Sequence, residues 1–262
     1  MKGKAEVKWT EPDGPSVVSY SDKLKYFNLR ILLQEGKGDG SEIITTGKHV
    51  YPFTFQIPAK KMPSSYVGKY GQITYSLKAK LIRTLWQIDK AKTEFPFVSK
   101  ADVIFPGLRE PQYGSKVVFL ATGNISMGIH IETMGYSPGE AIKVISEVQN
   151  NSSLTVTPHF YLYEKLSFFA KDKRKVHTND IITAIGEPVP AATRQTATKE
   201  LTIPSHLSVS FLDCTILQLE YMLKVSLKVP MDKNPEVDLP LVILSNKSKA
   251  AEERLQEYSW SK

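Results

Sequence analysis

The chain has 262 residues, 41% of them apolar, and a formal net charge of +7. That length makes one or two domains with modest cores, and no apolar run reaches the roughly 18 residues that a membrane-crossing helix needs. A single cysteine, Cys214, excludes an internal disulfide and a thiolate metal cluster.

The opening residues, Met1 to Glu6, lack the apolar core of a secretory signal. With one cysteine, a reducing, cytoplasmic setting is expected. The basic charge favours anionic partners. It is dispersed, with no Arg-rich arm, so no nucleic-acid partner is expected and acidic lipid or phosphorylated peptide is the better match.

In chain order, nearly every periodic segment reads as strand. Lys2 to Thr10 alternates Gly3, Ala5, Val7 and Trp9 against Lys2, Lys4, Glu6 and Lys8. Glu11 to Ser16 is a turn with Pro12, Gly14 and Pro15. Tyr26 to Leu33 places Phe27, Leu29, Ile31 and Leu33 inward, and Glu35 to Ser41 is a Gly-rich hairpin loop. Val50, Phe53, Phe55 and Ile57 are strand formers, interrupted by Pro52 and Pro58, which predicts an edge or bent strand. A long crossing follows, Ala59 to Lys69. From Ile73 the chain alternates Ile73, Tyr75, Leu77, Ala79 and Leu81 against Thr74, Ser76, Lys78 and Lys80, a half-buried strand. Trp86 to Phe97 completes the first half. Phe105 to Gly114, with two prolines and two glycines, reads as a linker.

The second half continues in the same style. Ile125, Met127, Ile129 and Ile131 line one face, and Gly135 to Gly139 turns. Ile142, Val144 and Val148 follow, and Asn150 to Ser153 turns again. Phe160, Leu162 and Leu166 continue. Leu217 to Val229 is expected to be the longest alternating strand. Short strands with turns every 8–12 residues or so predict antiparallel sandwiches. Only Lys247 to Glu257 has a helical composition, and so short and polar a segment is marginal alone.

Two stretches together point to one family. The first runs through Gly47, His49, Tyr51, Pro52, Phe53, Phe55, Ile57 and Pro58 to Pro63, Gly68, Gly71, Ile73 and Tyr75. The second joins Gly135, Pro138, Gly139 and Glu140 to Glu147–Ser153, with Asp238–Ile243 as a last strand. The pattern resembles the arrestins, and most of all the α-arrestins, the arrestin domain-containing proteins. The resemblance implies an all-β fold of two tandem antiparallel, immunoglobulin-like β-sandwiches. Residues 1–105 form an amino-terminal domain, 106–114 a linker, 115–244 a carboxy-terminal domain and 245–262 a mobile or short helical tail. Strands that the family carries before Gly3–Trp9 have no counterpart here, so the first sandwich is expected to be incomplete, with unpaired edges.

The resemblance also implies function. α-Arrestins are non-enzymatic adaptors. They bind membrane-protein cargo tails and recruit HECT-type ubiquitin ligases, and so promote ubiquitination, endocytosis and endosomal sorting. Cytoplasmic residence, peripheral at plasma membrane and endosomes, follows, with no cofactor or metal. The ligase-docking Pro-Pro-x-Tyr motif is absent, because the chain has no Pro-Pro dipeptide. WW domains grip a preformed polyproline helix, so ligase docking is not expected of this chain. A retromer-like structural subunit and a β-sandwich ligand-binding module or hydrolase are the alternatives. The last would need a carboxylate pair or an aromatic platform at matched spacing, and neither was evident.

The five histidines, His49, His130, His159, His177 and His206, are widely spaced, and no nucleophile–base motif occurs. His49 reads as structural, His130 as solvated, and Cys214 as inertly buried. Lys2, Lys4, Lys8, Lys78 and Lys80 are the candidate cargo or phosphate site, provided that their strands are neighbours. The plain alternative is a lysine face that blunts aggregation. The phosphate-sensing basic pair of classical arrestins belongs to the strands without counterpart and is not carried over. Lys171, Lys173, Arg174 and Lys175, after Phe168 and Phe169, are the candidate contact with an anionic membrane, against a charged hairpin tip with Phe168 in the core.

Overall fold

A computed structural model describes residues 1–33, 44, 46–82, 88–99 and 107–245. These hold strands and no helix. The chain divides into two units, Met1–Ser99 and Lys100–Lys262.

The first unit begins with a hairpin, β1 (Lys2–Asp13) and β2 (Ser16–Asn28), turning on Gly14 at φ 60°. Then come β3 (Tyr66–Val67), β4 (Gly71–Ile82) and β5 (Ile88–Phe95). They form one sheet in the order β2-β1-β4-β3, with β5 also on β4. The β1 alternation is as the sequence predicts: Ala5, Val7 and Trp9 are buried and the lysines face out. The β1–β2 register slips between Gly3 and Lys4, leaving Tyr26 as an extra residue. This bulge turns Tyr26 and Phe27 both inward, which strict alternation did not anticipate. Gly3 is required there, since a Cβ would lie 2.7 Å from the Phe27 ring and 2.9 Å from Tyr75.

Three expectations for this unit need correction. β2 ends at Asn28, so Ile31 and Leu33 are exposed instead of inward. Val50–Ile57 forms no strand, and Val50 and Phe53 are 75% and 50% exposed. Pro52 removes one ladder donor within it and Pro58 another directly after it. Finally, the inward run of β4 stops early. Ile73 and Tyr75 are buried, but Leu81 is exposed. β1 ends opposite Ser76, and beyond it β4 and β5 continue as a two-stranded ribbon with less to pack against.

The second unit comprises β6 (Gln112–Leu120), β7 (Gly123–Ile131), β8 (Gly135–Tyr136), β9 (Ala141–Ser152), β10 (Thr157–Ala170), β11 (Lys173–Ile185), β12 (Thr193–Thr202), β13 (Leu217–Lys228) and β14 (Glu236–Ile243). One sheet runs β11-β10-β13-β14-β8 and the other β12-β9-β7-β6. Pairing is antiparallel except for β14 with β8. The inner faces alternate as predicted, with Ile125, Met127, Ile129, Ile142, Val144, Phe160, Leu162, Leu219 and Leu223 all buried. Each such side chain contributes about 1.5–3 kcal/mol. Among the described residues β10 is longer than β13, with 14 residues against 12, but its alternation breaks near the register shift at Leu162/Tyr163, whereas β13 alternates from Leu217 to Val225.

The end of the stretch read as a linker is tied to this second unit. β6 already starts at Gln112. Leu108 is buried beside Val242 and Leu244, and its carbonyl accepts the Met134 and Gly135 amides at 3.0 and 2.9 Å. The Gly-rich loop at 35–41, Trp86 and the helical segment at 247–257 lie outside the described residues.

Candidate functional site

The outer face of the first sheet gathers the candidate lysines. Lys2, Lys4, Glu6 and Lys8 alternate outward along β1. Register sets Lys2 opposite Ser76, two residues from Lys78 on the same face, so the required adjacency of β1 and β4 exists. Lys8 stands apart, about 20 Å from Lys2 at the strand rise of ~3.3 Å per residue.

The register adds four lysines that sequence reasoning missed. Lys25 lies opposite Lys4, Lys23 opposite Glu6, Lys92 opposite Lys78 and Lys90 opposite Lys80. A signal was present in the recurrent Lys-x-Lys: Lys2/Lys4, Lys23/Lys25, Lys78/Lys80 and Lys90/Lys92. One pair falls on each of β1, β2, β4 and β5, and period two carries all four to one face.

Glu6 sits within this field. It pairs with Lys4, with Lys23 at 3.0 Å, and accepts from Gln72 at 3.3 Å. Partial burial works against its charge, but the hydrogen bonds from Lys4, Lys23 and Gln72 and the Lys4 charge outweigh it. They hold the carboxyl at about 2, below its ordinary 4.5. A depressed carboxyl stabilises the fold above its unfolded pKa and loses that contribution as pH falls through the folded one. The first unit is therefore expected to lose on the order of 1 kcal/mol between about pH 5 and pH 2. Glu6→Gln removes that pH dependence, as urea midpoints across the range will measure. Lys2, Lys8, Lys25, Lys78, Lys80 and Lys90 make no ion pair among the described residues, so the unneutralised charge lies around Glu6 and along the β4–β5 ribbon.

The basic tip at 171–175 is built differently. Lys171 and Asp172 turn the β10–β11 hairpin, with Lys171 at φ 54°. Phe168 is buried in the core. Arg174 lies 5.5 Å over the Phe169 ring and donates to Ser167 at 2.9 Å. The two aromatics proposed to touch a membrane are thus engaged within the protein.

A further surface was not anticipated. His159, Tyr161 and Tyr163 form an aromatic ladder along β10, spaced two residues apart. Lys224 stands 5.0 Å over Tyr161 and 5.7 Å over Tyr163. Tyr163 donates to Asp238 at 3.2 Å, and burial together with that carboxylate pushes its phenol up to about 12. An aromatic platform therefore exists, but its rings are capped by Lys224. Between the edges of β11 and β12 lies an open slot of about 150 Å³ floored by Val148, Phe160 and Val189. Lys199 spans it to the Ile185 carbonyl at 3.0 Å, an inward lysine that guards an edge strand.

The motif residues serve the frame. Tyr75 is buried and donates to the Pro63 carbonyl at 2.6 Å. The Gly68 amide bonds the Gly71 carbonyl at 2.9 Å. Gly139 turns at φ 89°, beside Pro138, and bonds Ile203. Gly135 packs against Leu108 and Leu244. His49 is exposed and stacks on Tyr51, and Phe53 meets Phe55 edge-on. Cys214 is fully buried. Among the described residues, no three His, Cys, Asp or Glu side chains gather as a metal site.

Two sandwich-type units in this order, with Ile73 and Tyr75 of the first motif in the core and Gly139 of the second at a turn, define a tandem arrestin-type fold. The N-terminal domain model for arrestin (or S-antigen) matches residues 1–103 and the C-terminal domain model residues 121–248. The chain belongs to the arrestin family, on its α-arrestin side. It is 32% identical over 255 residues to arrestin domain-containing protein 4 of Mus musculus, covering 92% of this chain and 61% of that protein. It is 31% identical to the Homo sapiens protein of the same name, with the same coverage, and 27% identical over 271 residues to Homo sapiens thioredoxin-interacting protein, covering 98% and 69%. The chain thus spans about three-fifths of the length of the first two.

Proposed function

We propose that this chain is the recognition part of a non-enzymatic arrestin-type adaptor. It binds acidic or phosphorylated tails of membrane-protein cargo for ubiquitin-dependent endocytosis and endosomal sorting, on the cytoplasmic face of plasma membrane and endosomes. One observation carries this reading: four Lys-x-Lys pairs meet on one face of an arrestin N-terminal sheet. Ammonium groups on a firm sheet recognise phosphate as point charges and need no cavity. HECT-type ligases belong to the reading as partners of the family. Their docking is not assigned to this chain, which contains no Pro-Pro dipeptide.

The test is a titration with a receptor-tail peptide, phosphorylated and unphosphorylated. Phosphorylation is expected to tighten binding. Lys2→Gln/Lys78→Gln/Lys80→Gln is expected to weaken it at least ten-fold, at about 0.5 kcal/mol or somewhat more for each of three exposed charge contacts. Equal affinity for both peptides, with no effect of the triple variant, would sink the proposal.

A further inference from the structure

The β4–β5 ribbon carries a feature that peptide recognition leaves unexplained. Beyond Ser76 its outer face is three rungs: Lys78 opposite Lys92, Lys80 opposite Lys90, then Ile82 opposite Ile88. Like charges directly opposite each other are destabilising, and here two such rungs are consecutive. Only Lys92 is relieved among the described residues, by Glu94 at 2.5 Å. The isoleucines that follow are 65% and 41% exposed, and Leu81 on the reverse face is 38% exposed.

Charge followed by hydrocarbon along one direction matches a bilayer's outer profile. Rungs stand about 7 Å apart at the strand rise. With an isoleucine rung below the headgroups, the lysine rungs stand at headgroup level, their flexible stems letting the ammonium groups reach outward. A soluble phosphopeptide would use the lysines and leave the isoleucines idle. The tip at 171–175 offers the charge, but Phe168 and Phe169 are engaged. We infer that the β4–β5 ribbon is a contact with an anionic lipid surface, with Lys78, Lys80 and Lys90 on the headgroups and Ile82 and Ile88 beneath them. This deepens the adaptor reading, and rests on it in placing the unit at the cytoplasmic face of a membrane.

The experiment is co-sedimentation of the full chain with phosphatidylcholine vesicles, alone and with about one third phosphatidylserine, whose surface attraction is worth about 1 kcal/mol per basic residue. Binding is expected only with phosphatidylserine, and to weaken with salt. Lys80→Gln/Lys90→Gln should lower vesicle affinity about five-fold per lysine, the equivalent of that energy. Ile82→Ser/Ile88→Ser should lower it about ten-fold while leaving phosphopeptide affinity unchanged, because two exposed isoleucines contribute only through apolar burial. All four side chains are exposed, and unchanged melting of both variants will confirm that the fold is kept. No preference for phosphatidylserine, or full vesicle binding by the isoleucine variant, overturns the inference. Phosphopeptide binding without vesicle binding removes the lipid contact alone. Vesicle binding without phosphopeptide binding removes the cargo reading alone.

Discussion

Replacing Asn150 by leucine is expected to cost the second unit about 3–5 kcal/mol, the range for breaking a buried polar network. Asn150 is fully buried at the end of β9. Its amide nitrogen faces three carbonyls, Leu154 at 2.7 Å, Pro190 at 2.9 Å and Val189 at 3.3 Å. Its oxygen accepts the Ser152 amide at 3.1 Å and the Ser152 hydroxyl at 2.7 Å. One side chain therefore joins the turn after β9 to the connection between β11 and β12. Leucine has similar volume and none of these groups, so it strands main-chain carbonyls away from water. Val156 and Val189, which exchange both main-chain bonds at 3.0 and 2.8 Å, should then lose hydrogen-exchange protection. A urea midpoint equivalent to less than about 1 kcal/mol of change would show that water enters and takes over the bonds.

That residue illustrates what a sequence conceals. Asn150–Ser153 reads as a turn because polar residues cluster there, but β9 runs on through Ser152 and the chain bends only at Ser153 and Leu154. The role of Asn150 depends on carbonyls of residues 189 and 190, about forty positions away, which local pattern does not reach. Alternation performs well where a strand has neighbours on both sides, as for β7, β9 and β13. It fails where the pattern is interrupted by a single extra residue, as at Tyr26, or where neighbouring strands run out, as at Leu81. Val50–Ile57 shows a third failure: strand-forming side chains cannot make a ladder when prolines remove its donors.

The lysine face was half legible for the same reason. Period two tells which lysines share a side of one strand. It does not tell which strands are neighbours, so Lys2, Lys4, Lys8, Lys78 and Lys80 form one site only on the condition that theirs are, and only the register shows that Lys23/Lys25 and Lys90/Lys92, which share the Lys-x-Lys spacing, join them. Register also reveals what composition hides. Glu6 neutralises part of the face, while among the described residues Lys78, Lys80 and Lys90 keep their charge beside the apolar rung of Ile82 and Ile88. A charge count treats all these lysines as equivalent, and their surroundings make them different.

Tyr75→Ala is expected to unfold the first unit's sheet locally, at about 3–5 kcal/mol, the cost of emptying a buried aromatic site. Tyr75 is 1% exposed. Its ring lies 4.4 Å from Phe97 and 6.0 Å from Phe27, with Tyr26 and Phe95 at 6.4 and 6.3 Å. Gly3 of β1 and Phe95 of β5 are its register partners on either side. The ring therefore holds together the two strand pairs that carry the lysine face, and its hydroxyl anchors the crossing through the Pro63 carbonyl at 2.6 Å. Removing it empties the place where β1, β4 and β5 meet. Tyr75→Phe keeps the ring and loses one bond, so about 1 kcal/mol is expected. Amide exchange on the two variants separates the contributions. In Tyr75→Ala, the amides of β1 and β4 should exchange fast while those of β10 and β13 stay protected. Phosphopeptide and vesicle binding should both fall, although no lysine has been changed. If both variants cost the same, the hydroxyl carries the stability and the aromatic cluster is incidental. If Tyr75→Ala leaves β1 and β4 protected, this sheet is held from outside the cluster.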